Sequence, residues 1–321
     1  VMRDVATLLE SVGAPPRRPA LAAPEIGPWR EGNVIPGVWS FEGVEPGLHV
    51  CVVALTHGNE IAGAVLLDRW LRSGLRPLAG RLTLVFANLD AFSRFNPEDP
   101  TASRFLEEDL NRVWNREVLE GPRRTSELRR ARALRPVLDA ADVVLDLHSM
   151  LWPGDPLFLV GASPEAADLA MQLGAPPLTV ADDGHEEGLR LIDYLPPGAT
   201  SRRGILLEAG WHWEEETAQR MDRVARRLLA LTGLLPGAPE EARPETPRLA
   251  RVVRTITARS PGFRFTRPWC SGEAVPGGTL LARDGALEIR APEEGCLLVI
   301  PNLLPRPGQT ALRIAKLEGG S

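Results

Sequence analysis

The sequence predicts an α/β domain, a mixed and largely parallel sheet with helices on both faces, followed by a small C-terminal all-β domain. Three observations carry that expectation. From residue 49 to 235, short continuous apolar runs alternate with segments of helical periodicity, the pattern of strands covered on both faces. At 236–248 the tract "PGAPEEARPETPR" replaces periodicity with proline and charge, which reads as a linker. Beyond it, β-rich runs separated by Gly/Pro turns continue to the end.

Taken in order, residues 1 to about 45 form a leading segment: a short helix, a proline-rich stretch, then a strand or hairpin at "NVIPGVWSFEG". "HVCVVALT" is a strand and "NEIAGAVLLDRWLRSG" a helix with apolar residues at helical spacing. "RLTLVFAN" is a strand, "SELRRARALRPVLDAA" a helix and "DVVLDLHS" a strand. "PLFLVG", "SPEAADLAMQL", "RGILLEAG" and "EEETAQRMDRVARRLLALTGLL" continue the alternation. The domains are therefore placed at 1–240 and 241–321. Two long stretches, 88–114 and about 175–202, break the rhythm; loops of that length inside a compact domain are usually functional or disordered.

Composition narrows the classes. The 321 residues are 44% hydrophobic and 25% charged, ordinary for a globular protein. A formal charge of −5 and a pI near 5.7 argue against a general affinity for nucleic acid or anionic membrane. Cys51, Cys270 and Cys296 are far apart and lack CxxC spacing, so neither a disulfide framework nor a thiolate zinc site is expected. No apolar run approaches the roughly 20 residues of a membrane span. The first residues lack an apolar core of signal-peptide length, and the expected location is cytoplasmic.

In open α/β sheets, ligands gather beyond the carboxyl ends of the strands. His57 closes the first main strand, with Glu60 one helical turn on; His148 closes "DVVLDLH" and Glu208 closes "RGILLE". Two neutral imidazoles and one carboxylate, with a fourth position left to water, are a common ligand set for catalytic zinc. The spacing of His57 and Glu60 is weak by itself, since an HxxE pair is expected by chance roughly 0.4 times. His212 and Glu215 share that spacing, and there the acids suit a helix N-terminus. A second imidazole at a second strand end strengthens the first pair. A carboxylate ending "GILLE" would be costly to bury unpaired. Asp146 could orient a ligand, although a local hydrogen bond is the simpler reading, and His49, His185 and His212 receive no role.

"THGNE", "RFLEEDLNRVW", "DLHS" and "LLEAG" occur in an order that resembles the succinylglutamate desuccinylase/aspartoacylase family, a branch of the zinc carboxypeptidase-like hydrolases. The resemblance covers about 48–235, and the C-terminal β domain also looks like the one appended in that family. It implies one Zn2+ per chain held by His57, Glu60 and His148, with Glu208 as general base. Arg104 would polarise the scissile carbonyl and stabilise the oxyanion; Asn111 and Arg112 would hold a substrate carboxylate. The implied activity is hydrolysis of the amide bond of a small N-acyl amino acid or related acylated amine that carries a carboxylate, with neither nucleic acid nor membrane as partner. Tyr194 is the only tyrosine, so substrate contacts made through several tyrosines in better-known members have no counterpart here. Two other readings stand beside this one: a zinc carboxypeptidase acting on peptide C-termini, and a non-catalytic ligand-binding member of the fold. The β domain is left with limiting access to the pocket, mediating a homo-oligomer, or both.

Overall fold

The computed structural model describes residues 19–152, 154–183, 188–199, 202–237 and 246–319. The expected helix of the leading segment, most of the linker and His185 lie outside the described residues. In chain order the strands are β1 (Val38–Glu42), β2 (Glu45–Ala54), β3 (Ala79–Phe86), β4 (Val143–Met150), β5 (Leu157–Val160), β6 (Leu178–Ala181) and β7 (Arg203–Trp211). After the linker come β8 (Arg248–Thr257), β9 (Phe263–Phe265), β10 (Ala274–Val275), β11 (Leu280–Asp284), β12 (Leu287–Arg290), β13 (Cys296–Val299) and β14 (Thr310–Leu317). The helices are α1 (Ile61–Arg72), α2 (Leu89–Phe92), α3 (Arg116–Glu120), α4 (Ser126–Asp139), α5 (Pro164–Leu173) and α6 (Glu215–Leu231).

Eleven strands make one sheet in the order β1-β3-β2-β4-β7-β5-β6-β8-β14-β13-β10, and β12-β11-β9 form a second, three-stranded sheet. The neighbours β3, β2, β4 and β7 run parallel, and β5 pairs antiparallel with β7. The C-terminal strands extend the same sheet, because β8 pairs parallel with β6 and then antiparallel with β14.

Side chains along a strand alternate between faces, and each central strand divides its residues accordingly. Val50, Val52 and Ala54 of β2, Val143, Leu145 and Leu147 of β4, and Ile205, Leu207 and Ala209 of β7 join one cluster with α1, α5 and α6. Cys51, Val53 and Val144 face the other way, into a cluster with Leu128, Ala131, Leu134 and Leu138 of α4. Both faces of the central strands are therefore dry, as their unbroken apolar runs require. Each large apolar side chain so buried contributes roughly 1.5–3 kcal/mol. The parity has a consequence for function: Asp146, His148 and Glu208 belong to the face opposite α1 and α6.

The stretch at 175–202, expected as a long loop, contains β6 and a 3-10 turn at Leu191–Asp193. Four apolar-flanked residues, "LTVA", are too few to show a period, and pairing with β5 and β8 on either side is what makes them a strand. The stretch at 88–114 likewise holds α2 and a 3-10 turn at Leu110–Arg112. Among the described residues no helix is long and apolar enough to cross a membrane.

Candidate metal centre

The site begins where β2 stops. Leu55 adopts a left-handed φ of 59°, which costs an L-residue roughly 1–2 kcal/mol and turns the chain out of the strand. Gly58 then packs so closely that a Cβ there would lie 2.5 Å from both Phe92 N and Ser103 O. Its N–H donates to the Arg104 carbonyl at 3.0 Å, which draws the 103–112 segment over the turn. Glu60 occupies the N-cap position of α1, but its side chain caps no helical N–H. The carboxylate is directed to the imidazoles instead.

His57, Glu60 and His148 are buried, and each offers a donor atom within 4.8 Å of the other two. His57 Nδ1 is 2.8 Å from Glu60 Oε1, and His148 Nδ1 is 3.1 Å from Glu60 Oε2. The far nitrogen of each ring faces an aspartate: His57 Nε2 is 2.9 Å from Asp109 Oδ1 and His148 Nε2 is 2.8 Å from Asp146 Oδ2. A metal-facing Nδ1 requires the ring proton on Nε2, opposite an aspartate that accepts only; at His57 that nitrogen also has the Arg104 Nη2 donor 3.0 Å away. Both Nδ1 lone pairs then point at the Glu60 carboxylate. Three electron-pair donors turned on one another repel unless a proton or a cation lies among them, and two imidazoles and a carboxylate are ligands that zinc accepts. The residues present fit a divalent metal.

A proton competes with a metal for the same donors. Burial opposes ionisation of Glu60, yet the two imidazoles outweigh it and hold the carboxyl well below its ordinary value. Burial opposes protonation of His148, yet Asp146 and Glu60 outweigh it and raise the imidazole well above its ordinary value. Glu208 behaves differently. Burial pushes its carboxyl up to about 8, and its Oε2 has no hydrogen-bond partner among the described residues. Glu208 stands directly beside His148 across the β4–β7 ladder.

Arg104 Nη1 donates to Glu60 Oε1 at 3.2 Å, and Nη2 lies 3.6 Å from Asp109 Oδ2. Asn111 gives its carbonyl oxygen to the Leu191 N–H at 2.8 Å, leaving the amide nitrogen for a ligand. Arg112 donates through Nη1 to the Asn111 carbonyl at 2.7 Å. All seven residues singled out in the sequence line one cavity of about 250 Å³.

Sequence reasoning passed over several residues that shape this centre. Asp146 does more than a local bond, since it accepts from Thr56 Oγ1 at 2.7 Å as well as facing His148, tying the end of β2 to β4. Its position two residues before His148, on the same strand face, was the available signal. Asp109 caps the turn that carries Asn111, accepting from the Asn111 N–H at 2.8 Å. Ser149 donates its N–H to Glu60 Oε2 at 3.1 Å, and its hydroxyl lies 2.6 Å from His212 Nδ1. His212 therefore belongs beside the centre, whereas Glu215 opens α6 and pairs with Arg69. Glu127, on α4, is fully buried and accepts from the N–H groups of Leu106 and Glu107 at 2.7 and 3.2 Å. Nothing local in the sequence marks that role. Tyr194 hydrogen-bonds Asp139 at 2.5 Å and packs on Trp114, away from the cavity.

Fold and site together define an α/β protein with a candidate divalent-metal centre at the carboxyl ends of adjacent parallel strands. A sequence model of the succinylglutamate desuccinylase/aspartoacylase catalytic domain matches residues 46–151. Over 163 residues the chain is 37% identical to a probable aspartoacylase of Parasynechococcus marenigrum, a match that covers 46% of this chain and 50% of that relative. Over 279 residues it is 28% identical to a succinylglutamate desuccinylase of Burkholderia lata, covering 82% and 77%. The solved structure of a succinylglutamate desuccinylase from Vibrio parahaemolyticus has the same fold, with a TM-score of 0.68 at 19% identity over 88% of this chain and 86% of that one. Residues 46–151 are thus similar to the catalytic domain of the succinylglutamate desuccinylase/aspartoacylase family. The chain spans about half the length of the first of these relatives.

Proposed function

We propose that the protein is a zinc-dependent hydrolase that cleaves the amide bond of a small N-acyl amino acid or related acylated amine. The observation that supports this most directly is the convergence of His57 Nδ1, Glu60 and His148 Nδ1, with Glu208 beside His148 and its Oε2 without a hydrogen-bond partner among the described residues. Zinc held by the first three would supply Lewis acidity, lowering the pKa of a bound water to about 7 and polarising a carbonyl.

The chain's own groups account for the rest. Glu208, kept in a dry setting that raises its pKa to about 8, suits a base that takes a proton from the attacking water and returns it to the leaving amine. Arg104 reaches the centre through Glu60, and its guanidinium is available to an oxyanion; loss of such a donor typically costs about 10²–10³ in rate. The Asn111 amide and Arg112 guanidinium suit a planar carboxylate. Asp146 and Asp109 hold both imidazoles in the tautomer that presents Nδ1.

The relatives' names, aspartoacylase and succinylglutamate desuccinylase, support a substrate class of N-acylated amino acids. The test is metal content together with turnover across a panel of N-acyl amino acids, for wild type and Glu208→Gln. Absence of stoichiometric zinc after reconstitution, or turnover that survives Glu208→Gln, would count against it.

A further inference from the structure

The α/β strands do not wall the cavity alone. Ser271, Ile300, Asn302 and Arg313, all from beyond the linker, line it with the metal-facing residues. Trp152 Nε1 donates to Asn302 Oδ1 at 3.3 Å, joining the loop after β4 to the C-terminal segment.

Arg313 sits on β14, nearly buried, with Nε 2.8 Å from Asp182 Oδ2. Behind it runs a chain of ion pairs. Arg190 Nη1 is 3.3 Å from the same Asp182 oxygen, Arg190 Nη2 donates to the Asp182 carbonyl at 2.7 Å, and Arg190 Nε is 2.7 Å from Asp193 Oδ2. Every nitrogen of the Arg190 guanidinium is thus engaged within the protein. Arg313 differs: Asp182 is its ion-pair partner, but among the described residues its guanidinium has no hydrogen bond, at Nε or at either terminal nitrogen. Burial lowers its pKa against the opposing pull of Asp182, and the like charges of Arg190 and Arg112 add to the lowering. A nearly dry guanidinium with an open edge is costly to leave unpaired, and a planar carboxylate meets that edge with two parallel hydrogen bonds.

We infer that Arg313 is a specificity-determining residue, whose open edge binds an anionic group of the substrate other than the carboxylate allotted to Asn111 and Arg112. Asp182, Arg190 and Asp193 are positioning residues that fix its orientation. The C-terminal β segment is on this account part of substrate recognition. The role in turnover rests on the hydrolase reading above; the role in binding does not.

Two matched pairs test it: N-acetylglutamate against N-acetylglutamine, and N-succinylalanine against its succinamoyl analogue. They present the second anion on the amine side or on the acyl side. Wild type, Arg313→Gln and Arg313→Lys are compared by kcat/KM, and separately by calorimetric binding of glutarate against its monoamide. Wild type is expected to favour the doubly anionic member of at least one pair. In Arg313→Gln that preference falls about 10–100-fold, the worth of a charge-assisted bond, and Arg313→Lys retains part of it. The substitution leaves Asp182 paired with Arg190, so no carboxylate is stranded, and thermal unfolding checks that the variants fold. A preference unchanged in Arg313→Gln, or no preference in wild type by either readout, overturns the inference. Failure of wild type to hydrolyse any of the four, with Arg313-dependent binding intact, would sink the hydrolase reading and leave this one standing.

Discussion

His148 and Glu208 are register partners across the parallel β4–β7 ladder, both on the sheet face opposite α1 and α6. One therefore turns its Nδ1 to Glu60 while the other offers an unpartnered carboxylate oxygen at the same height. Neutralising that carboxylate without changing its shape should separate binding from chemistry. Glu208→Gln is expected to bind zinc as wild type does and to lose about 10²–10⁴ in kcat, the usual contribution of a positioned base. Metal analysis beside steady-state kinetics checks both halves.

Asp146 links two of the segments that carry the candidate ligands, through Thr56 on one side and His148 on the other. Asp146→Asn keeps the shape and removes the charge that holds the imidazole. Zinc affinity should fall about 10–100-fold, read by competition with a chelator, and His148→Ala should fall further.

Glu127 fastens the 106–107 backbone to α4 from a fully buried position. In Glu127→Ala those N–H groups lose their acceptor, with a cost of about 1–3 kcal/mol for each left unsatisfied. The expected signature is faster amide exchange confined to the 103–112 segment, with a lower rate of turnover and zinc affinity close to wild type.

His49 lies at the other end of β2, with Nδ1 2.8 Å from the Ala140 carbonyl and Nε2 2.8 Å from Thr83 Oγ1. Burial depresses its pKa below 6.5, with Arg81 adding to the effect and the Ala140 carbonyl and Asp142 opposing it. In this case the fold favours the neutral ring, so the unfolded chain takes up the proton first as pH falls. The contribution is complete above about pH 6.5 and is lost below it. Denaturant midpoints at pH 7.5 and 5.5 should differ more for wild type than for His49→Gln.

Trp70 of α1 is almost fully buried against the α6 layer and donates through Nε1 to Asp222 at 2.5 Å. Trp70→Ala should destabilise the protein by about 3–5 kcal/mol, measured by chemical unfolding.

Much of this was legible in the residues. Unbroken apolar runs such as "DVVLDL" announced doubly covered strands, and the structure buries every residue of β4. The strand-end positions of His57, His148 and Glu208 singled them out because an ionisable group after an apolar run must find a partner. Other features left no local trace. "LTVA" becomes a strand only because β5 and β8 flank it, and the His212/Glu215 pair looked like the His57/Glu60 pair until the fold sent its two members to different neighbours.

The sequence by itself determined most of the longer strands and helices and which donor types follow them, because hydrophobic period and residue chemistry are properties of a few neighbouring positions. Tertiary structure alone decided that β4 lies between β2 and β7, that Asp109 and Asp146 back the two imidazoles, and that Arg313 arrives in the same cavity from a strand more than a hundred residues beyond Glu208. Those are contacts between distant stretches of chain, fixed by strand order, register and the packing of two dry faces, and no short window of residues encodes them.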